Sequence, residues 1–447
     1  MYREQTADLG PAPAASQLNI AVIGSGISGL SAAWLLGKRH RVTLFEADRR
    51  IGGHSHTVDA GGVEVDTGFI VFNRQTYPNL TALLAHLGLE SQETEMSFAV
   101  SLGSGRQEYS GSGLKGLFAQ KRNVLRPRFW KMLGELLRFY REAPHDLAEL
   151  RDENLEEYLD RRGYGKAFRM DHLYPMAAAI WSSPAADMRD YPAASFIKFC
   201  RNHNLLSTGK RPPWHTVAGG SRSYVEALLA DFSGTVRTGS PVSAVHRGPV
   251  GVRVETAGGA ELFDHVVIAA HADQALDMLA DPDAAEQDLL GKFRYSRNET
   301  VLHSDPALMP RRRKVWSAWN FMAGRDPSAP PAVTYWMNRL QHLETGVPML
   351  VTLNPQVAPD PALVHWQGTY HHPIMDSAAV NAQRDLWSLQ GRRNTWFCGA
   401  WFGAGFHEDG LQAGLAVAEQ LGGACRPWQV GDPSGRIFVC PQVHQPA

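Results

Sequence analysis

One uncharged stretch near the start of the chain, LNIAVIGSGISGLSAAWLLG from Leu18 to Gly37, constrains the fold more than any other feature. Its twenty residues are enough for a helix that crosses a bilayer. The internal pattern argues against such a helix, because a β-branched run ending at Ile23 is followed by three closely spaced glycines and only then by helix-forming residues. The stretch therefore predicts a buried strand, a glycine turn and a helix.

The glycines have the GxGxxG spacing of a dinucleotide-binding turn. Gly24 permits the tight turn, Gly26 lets the backbone approach a pyrophosphate, and Gly29 lets the helix pack closely on the strand. Ile27 and Ser28 open the helix, whose N-terminus attracts phosphate groups.

The strand that follows, RVTLFEADRR, strengthens this interpretation. It ends in Glu46 and Ala47, and Glu46 stands twenty-two residues after Gly24. An acid about 20 residues beyond the first glycine is expected to bind the ribose of a dinucleotide. Residues 1–17 have mixed charge and are rich in Ala and Pro, so we interpret them as a flexible tail and not as a secretion signal.

Composition excludes several classes of function. Lys plus Arg number 44 and Asp plus Glu 45, so no overall positive field favours nucleic acid. The four cysteines form no CxxC pair, which predicts neither a metal site nor a disulfide framework and favours a reducing cytoplasm. A chain of 447 residues with 44% hydrophobic residues suits two connected globular domains.

Three later segments indicate which dinucleotide binds. They are DRRIGGHSHTVDAGGVEVDTGFIVFN, WHTVAGGSRSYVEALLADF with its following strands, and NTWFCGAWFGAGFHEDGLQAGLAVAEQL. Together with the glycine turn, these segments resemble the superfamily of flavin amine oxidases, phytoene desaturases and protoporphyrinogen oxidases. The resemblance extends from Leu18 to about Leu421 and implies FAD as cofactor.

The resemblance also implies the fold and the cofactor contacts. The expected fold is α/β: a Rossmann-like FAD-binding domain of the amine oxidase and glutathione reductase type, assembled from discontinuous segments, with an α+β substrate domain. The FAD domain is expected at 18–75, 215–275 and 390–425, the substrate domain at 76–214 and 276–389, and a C-terminal extension at 426–447. The residues implied to contact FAD are Gly24, Gly26, Ile27, Ser28, Gly29, Glu46, Ala47, Gly52, Gly53, His54, Thr67, Gly68, Phe69, Ile70, Val242, Gly399, Ala400, His407, Glu408, Asp409, Gly410 and Leu411.

The chain departs from the superfamily at four places. His54 stands where most relatives have arginine, and Ala400-Trp401 replaces the usual acidic residue after the Gly399 turn. The segment from Phe293 to Asp305 lacks the lysine that amine oxidases place opposite the flavin. Phe406 stands where amine oxidases commonly have tyrosine. These departures make amine oxidation the weaker branch of the resemblance.

The second domain contains large aromatic residues and no recognisable nucleophile, phosphate loop or metal cluster. As a group, these residues predict a long apolar pocket, although any one of them is more often core packing. The expected pocket residues are Trp181, Trp319, Phe321, Trp336, Trp401 and Phe406. Histidines are the obvious proton carriers, so His371, His372 and His407 are the candidate catalytic residues, with structural hydrogen bonding as the alternative for each.

A basic segment, KRNVLRPRFWKMLGELLRFYREAPHDL, predicts an amphipathic helix. Its apolar residues Phe129, Met132, Leu133, Leu136, Leu137 and Tyr140 follow helical spacing, and seven Lys or Arg residues surround them. Such a helix can lie in a membrane interface, or it can pack on its own domain with a solvated basic face. The MPRRRK segment, Met309 to Lys314, could extend the same basic surface.

The motifs GGHSHTVD, DTGFIVFN, LHSDPALMPRRRKVWSAWN and GFHEDGLQAGLAVAE resemble a bacterial subgroup associated with cyclopropane-synthase-like methyltransferases. The resemblance implies a methylated-fatty-acid desaturase of furan fatty acid formation. The implied partners are a phospholipid-bound acyl substrate, oxygen or another electron acceptor, a lipid methyltransferase and the surface of the inner membrane, all reached from the cytoplasm. The alternatives are an amine or amino-acid oxidase, a carotenoid-type desaturase, and a flavin-holding partner of a methyltransferase without turnover.

Overall fold

The structure of the chain is a computed structural model. It describes residues 17–150, 153–181, 187–203, 205–206, 212–324 and 331–439. The expected tail, apart from residue 17, and the last eight residues of the C-terminal extension lie outside the described residues.

The described residues form strands β1 to β19. In chain order they are Asn19–Ile23, Arg41–Phe45, Thr57–Asp59, Glu64–Asp66, Ser91–Thr94, Phe98–Leu102, Gln107–Ser110, Trp214–Val217, Thr235–Arg237, Val242–Gly248, Gly251–Thr256, Gly259–Phe263, His265–Ile268, Arg294–His303, Trp319–Ala323, Ala332–Trp336, Leu350–Leu353, Val364–Ile374 and Thr395–Phe397.

The described residues also form helices α1 to α14. They are Ile27–Gly37, Pro78–His86, Gly113–Leu117, Pro127–Asp146, Leu155–Arg161, Lys166–Phe168, Tyr174–Trp181, Ala193–Asn202, Arg222–Ala230, Ala272–Met278, Ala284–Leu290, Met337–Leu340, Ser377–Ala382 and His407–Gln420.

A five-stranded parallel sheet, in the order β19-β13-β1-β2-β9, forms the centre of the first domain. All five strands fall within the three segments that the sequence predicted for the FAD domain. Its central strand β1 is an apolar run with four of five residues buried, as expected for a parallel sheet covered on both faces. The α/β fold class is confirmed.

Helix α1 lies between this sheet and α14, and small residues allow the close contact. A Cβ at Gly29 would lie 1.9 Å from the Gly24 carbonyl oxygen, and a Cβ at Gly414 would lie 2.2 Å from the Ser28 carbonyl oxygen. The N-terminus of α1 is therefore held against the carboxyl end of β1.

The second domain is built on a seven-stranded mixed sheet in the order β18-β14-β17-β16-β15-β6-β7. Its strands all fall within the segments predicted for the substrate domain. Helices α4 to α8 complete this domain. No described helix is both long enough and apolar enough to cross a membrane.

The described part of the C-terminal extension packs on the first domain. The Trp428 ring stacks on Trp34 at 6.0 Å, and the Arg426 guanidinium pairs with Glu419 and donates to Asn79 and Pro433 oxygens. The extension therefore closes the outer side of α1 and α14.

Candidate functional site

A single elongated cavity of about 1690 Å³ runs from the glycine turn to helix α4. Pockets for drug-sized ligands commonly have about 300 to 1,000 Å³, so this cavity has room for a large cofactor and a second molecule. One end, the nucleotide end, is formed by the carboxyl ends of β1 and β2. The other, the apolar end, lies between the mixed sheet and helices α4 and α7.

The glycine turn at the nucleotide end leaves open space for phosphate. Gly24 has φ of +100° and its N–H donates to the Phe45 carbonyl oxygen at 2.8 Å. A Cβ at Gly24 would lie 2.7 Å from the Ala269 carbonyl oxygen, whereas a Cβ at Gly26 would meet no protein atom within 4 Å. Gly26 therefore borders empty cavity at the N-terminus of α1, where backbone N–H groups favour an anion.

Glu46 closes the end of β2 beside this turn. Its Oε2 accepts hydrogen bonds from the backbone N–H and the hydroxyl of Ser25, and its Oε1 accepts from the Asp48 N–H at 2.8 Å. The carboxylate is thereby fixed at the wall of the nucleotide end, together with Ala47 and Val242.

The loop after β2 brings His54 to the middle of the cavity. Gly68 passes so close that a Cβ there would lie 2.1 Å from the His54 carbonyl oxygen. The His54 Nε2 is buried and has no hydrogen-bond partner among the described residues. Burial, followed by the neighbouring His372 and His271, lowers the pKa of His54 well below its usual value. His54 is therefore neutral and presents an unused ring nitrogen to the cavity.

Arg50 supplies a cation in the same loop that the sequence analysis did not identify. Its guanidinium donates to the carbonyl oxygens of Gly53 (2.8 Å) and Ser55 (3.3 Å), and the residue lines the cavity. It lies four residues before the position where the superfamily has arginine. The sequence shows no pattern that would tell which of Arg49 and Arg50 faces the cavity, because the fold of the loop decides it.

His56, Thr67 and Tyr370 form a hydrogen-bonded group beside His54. The Tyr370 hydroxyl lies 2.7 Å from Thr67 Oγ1 and 3.0 Å from His56 Nδ1, and its ring lies 4.9 Å from that of His54. Sequence reasoning missed Tyr370, which lies more than 300 residues from its partners along the chain.

His371 and His372 both line the cavity, as expected from the sequence, but their surroundings differ. The Asn298 Nδ2 donates to the Ser296 carbonyl oxygen, which identifies it as the amide nitrogen, and it also lies 3.0 Å from His372 Nδ1. His372 Nδ1 must therefore accept a hydrogen bond, so the neutral ring carries its proton on Nε2. Burial lowers the pKa of His372 to about 4. His371 is exposed to the solvent-connected cavity.

His407, at the start of α14, is held at the opposite wall. Its ring stacks on Phe69 at 3.9 Å, and its Nε2 lies 2.7 Å from the Tyr224 hydroxyl, which in turn bonds to Ser55. Burial lowers the pKa of His407 to about 3. The ring is therefore a neutral, fixed part of the wall.

The turn after His407 supports the wall from behind. Glu408 accepts from the N–H groups of Asn79 and Leu80 at the start of α2, and Asp409 pairs with Arg436. Glu408 points toward the start of α2 and Asp409 toward Arg436 of the C-terminal extension, so neither side chain faces the cavity. Six of the predicted FAD contacts do not line the cavity: Gly29, Gly52, Glu408, Asp409, Gly410 and Leu411. The other predicted contacts line it.

Four of the six predicted pocket aromatics line the cavity: Trp181, Trp319, Trp401 and Phe406. The Phe406 ring stacks on Phe199 at 4.8 Å. The prediction was wrong in position for two residues. Phe321 is buried in the core of the second domain, and Trp336 packs against Trp316 outside the cavity. Because successive strand residues alternate in face, Tyr335 lines the cavity in place of Trp336.

Comparison with known proteins identifies the family. The model of the family described as flavin containing amine oxidoreductase matches residues 27–298, more than half of the chain. The chain belongs to this family. Its members are FAD-dependent oxidoreductases, and FAD is the cofactor of the chain.

Individual relatives are distant from this flavin oxidoreductase. A polyamine oxidase of Arabidopsis thaliana is 27% identical over 217 residues, which cover 45% of this chain and 42% of the relative. The chain thus spans about half or less of the length of the first curated relatives it matches.

Two solved structures share the fold over nearly their whole length. A putrescine oxidase bound to putrescine has a TM-score of 0.63 at 16% identity, with 91% of this chain and 99% of that chain covered. A CLA-producing fatty acid isomerase from P. acnes has a TM-score of 0.60 at 15% identity, with 90% and 98% covered. Identities this low establish the fold alone.

The cavity fits FAD. The open space at Gly26, the fixed carboxylate of Glu46 and the unpartnered Nε2 of His54 provide phosphate, ribose and hydrogen-bond contacts along one wall. FAD would be held at the nucleotide end and in the middle of the cavity, which would leave the apolar end for a substrate. No lysine is found among the described residues that line the cavity.

Proposed function

We propose that this flavin oxidoreductase desaturates a methyl-branched, unsaturated fatty acyl chain carried by a phospholipid. One C–H bond is broken with transfer of hydride, a neighbouring carbon loses a proton, and a second carbon–carbon double bond forms. FAD, when bound, supplies the two-electron acceptor and becomes FADH2, which oxygen or another acceptor reoxidises. The product suits furan fatty acid biosynthesis, with a lipid methyltransferase as the enzyme that supplies the branched substrate.

The observation that carries the proposal is the apolar end of the cavity. Its wall is made of aliphatic and aromatic side chains from the mixed sheet and from helices α3, α4 and α7. The helix residues include Leu117, Trp130, Leu133, Leu136, Leu137, Tyr140, Met176 and Ile180. A narrow space with such a lining stabilises an alkyl chain by about 0.8 kcal/mol for each CH2 removed from water. The same lining offers a polar substrate few hydrogen-bond partners.

The positions of acidic residues also disfavour a polyamine. The carboxylates among the described lining residues are Glu46, Asp48 and Asp277. Glu46 and Asp48 lie at the nucleotide end, and Asp277 belongs to α10, which packs on β10 beside Val242. A cationic substrate in the apolar end would lose its hydration without a carboxylate to replace it, which is costly.

The side chains between the two ends orient the acyl chain and accept the proton. His372 has a hydrogen on Nε2 and its Nδ1 is occupied, so it acts as a hydrogen-bond donor and not as the base. His371 lies next to it on β18, lines the cavity and is exposed, so it can accept the proton and release it to water. Trp401 and Phe406 exclude water from the reacting carbon.

The fold is compatible with such a substrate, since a CLA-producing fatty acid isomerase has the same architecture. The test is anaerobic. The yellow protein is mixed with phospholipids that carry methyl-branched monounsaturated chains, and the flavin absorbance is followed. Bleaching with these lipids, and not with unbranched lipids or amines, supports the proposal. No bleaching with any lipid would contradict it and leave two alternatives, an amine oxidase and a flavin-holding partner of a methyltransferase.

Amine oxidation is the second candidate, because the family and the polyamine oxidase relative favour it. It predicts peroxide release with simple amines or amino acids and bleaching by amines alone. A carotenoid-type desaturation would be recognised by the polyene spectrum of its product.

A further inference from the structure

The apolar residues of α4 are divided between the protein interior and the solvent. Phe129, Met132 and Phe139 are fully buried in the second domain, so they are not available to a membrane. Four other large apolar side chains in this region are at least half exposed. They are Leu114 on α3, Leu125 before α4, and Trp130 and Leu137 on α4, with exposed fractions of 74%, 84%, 50% and 54%.

Two of these four residues stand at the mouth of the cavity at its apolar end. The other two lie in adjoining parts of the chain: Leu114 follows Gly113, which lines the cavity, and Leu125 precedes α4. Trp130 and Leu137 are half exposed and also line the cavity, so they stand where it meets solvent. They are seven residues apart on one helix and therefore share a face, with Leu133 and Gly134 between them. Trp130 connects this face to the segment before it, because its indole N–H donates to the Val124 carbonyl oxygen at 2.8 Å.

A group of cations, the basic rim, lies beside the mouth. It consists of Arg106, Lys115, Lys121, Arg122 and Arg126, and within the described residues no salt bridge joins any of them to a carboxylate. Arg122 and Arg126 both donate to the Arg106 carbonyl oxygen, so three guanidinium groups are crowded together. Burial, followed by Arg122, Arg106 and Arg312, lowers the pKa of Arg126.

Arg312 of the MPRRRK segment lies near the basic rim. Arg312 itself pairs with the buried Glu108, which lies two residues after Arg106 in the sequence. Among the cations of α4, Arg128 pairs with Asp171, and Arg138 and Arg141 pair with Glu142, whereas no salt bridge of the described residues joins Lys131 to a carboxylate. The basic rim is therefore a group of five cations beside the cavity mouth that have no carboxylate partner among the described residues, in a chain whose net charge is −1.

We propose that this surface docks on a bilayer containing anionic phospholipid. Leu114, Leu125, Trp130 and Leu137 enter the interface, and the basic rim binds lipid phosphates. The cavity mouth then opens toward the acyl chains, so a phospholipid can place one chain in the apolar end without leaving the membrane. The proposal rests on the proposed lipid substrate and adds the surface from which that substrate arrives. Charge complementarity and the continuity of the apolar side chains with the cavity favour this occupant over an acidic protein.

Vesicle flotation of the full-length holoprotein tests the proposal. Vesicles of phosphatidylcholine alone are compared with vesicles that also contain the anionic lipid phosphatidylglycerol, at roughly 30% of the total lipid. Binding is expected only to the anionic vesicles and is expected to weaken with salt. The variant Lys121→Gln/Arg122→Gln/Arg126→Gln should lower the partition coefficient roughly a hundredfold, since each basic residue near such a surface contributes a factor of about five.

Two further variants distinguish loss of the docking surface from loss of folding as the cause of weaker vesicle binding. Leu114→Ser/Leu125→Ser changes only exposed side chains and should also reduce binding. Arg39→Gln/Arg41→Gln/Arg297→Gln removes the same charge from surfaces far from the mouth and should bind like the parent protein. Arg297 lies on β14, next to the edge strand of the mixed sheet that is opposite the β6–β7 edge.

Equal binding of the rim variant and the parent would overturn the proposal, as would equal losses in the rim and control variants. No binding to anionic vesicles would also overturn it and would assign the surface to an acidic protein. The proposed function is tested separately with lipid in detergent micelles. There the rim variant should bleach like the parent, because none of its changed residues lines the cavity.

Discussion

The middle and last glycines of the GxGxxG turn, Gly26 and Gly29, should have different effects when they are enlarged. Gly26 has φ of −64°, which any residue adopts, and a Cβ there meets nothing within 4 Å. Gly29 is enclosed, since its Cβ would lie 1.9 Å from the Gly24 carbonyl oxygen and 3.0 Å from the Ala269 Cβ. The first substitution changes the cavity, and the second changes the packing of α1.

We expect Gly26→Val to weaken FAD binding while the apoprotein stays as stable as the parent. The added methyl groups occupy the space of the pyrophosphate and separate it from the N–H groups of α1. Loss of one hydrogen bond to a charged group costs about 1.5 to 3 kcal/mol, which corresponds to a 10-fold to 150-fold higher dissociation constant. Gly29→Ala should instead destabilise the apoprotein by about 1 to 3 kcal/mol or more, because the core is overpacked.

Both effects are measured on the same preparations. Flavin fluorescence gives the FAD dissociation constant, and urea unfolding of the apoprotein gives the free energy of unfolding. Gly134→Ala is the matched control. This glycine is exposed on α4 with open space around it, so alanine should raise stability by up to about 1 kcal/mol and leave FAD binding unchanged. Normal FAD affinity in Gly26→Val would refute the assignment of the nucleotide end.

Three further predictions concern the middle and the apolar end. In His371→Gln, lipid-dependent flavin reduction should slow by about 100-fold, as expected when a general base is removed, whereas His372→Gln should change its rate by less than 10-fold. Stopped-flow absorbance measures both rates. A larger loss of rate in His372→Gln than in His371→Gln would contradict the tautomer argument. The free energy of unfolding of the apoprotein should fall as pH falls from about 6.5 toward 4. Burial lowers the pKa values of His271 and His372 to about 4 in the native protein. In this pH range the unfolded chain therefore binds more protons than the native protein does. His372→Gln should make that fall smaller by up to about 2 kcal/mol at pH 5 in urea titrations, and an unchanged slope would show that this ring is protonated in the native protein. Leu133→Trp should narrow the apolar end and raise the KM for long-chain lipids more than for short-chain ones, with unchanged FAD affinity; equal effects on both chain lengths would place the substrate elsewhere.

The sequence by itself determined the nucleotide end of the site and the fold around it. Gly24, Gly26 and Glu46 act through local backbone geometry, because a strand, a tight turn and a helix in succession leave few other conformations. The apolar run that ends at Ile23 also predicted a buried strand. These features depend on neighbours within about thirty residues, so the sequence could predict them.

Only the tertiary structure decided the chemistry of the rest of the site. The tautomer of His372 depends on Asn298, which lies 74 residues away, and Arg50 faces the cavity only because of the loop that holds it. Helical periodicity could group Phe129 with Leu137 as apolar residues, but it could not indicate that the first is buried by the second domain and the second stands at the cavity mouth. Each of these outcomes depends on which distant surface a side chain meets, and that is set by the packing of elements far apart in the chain.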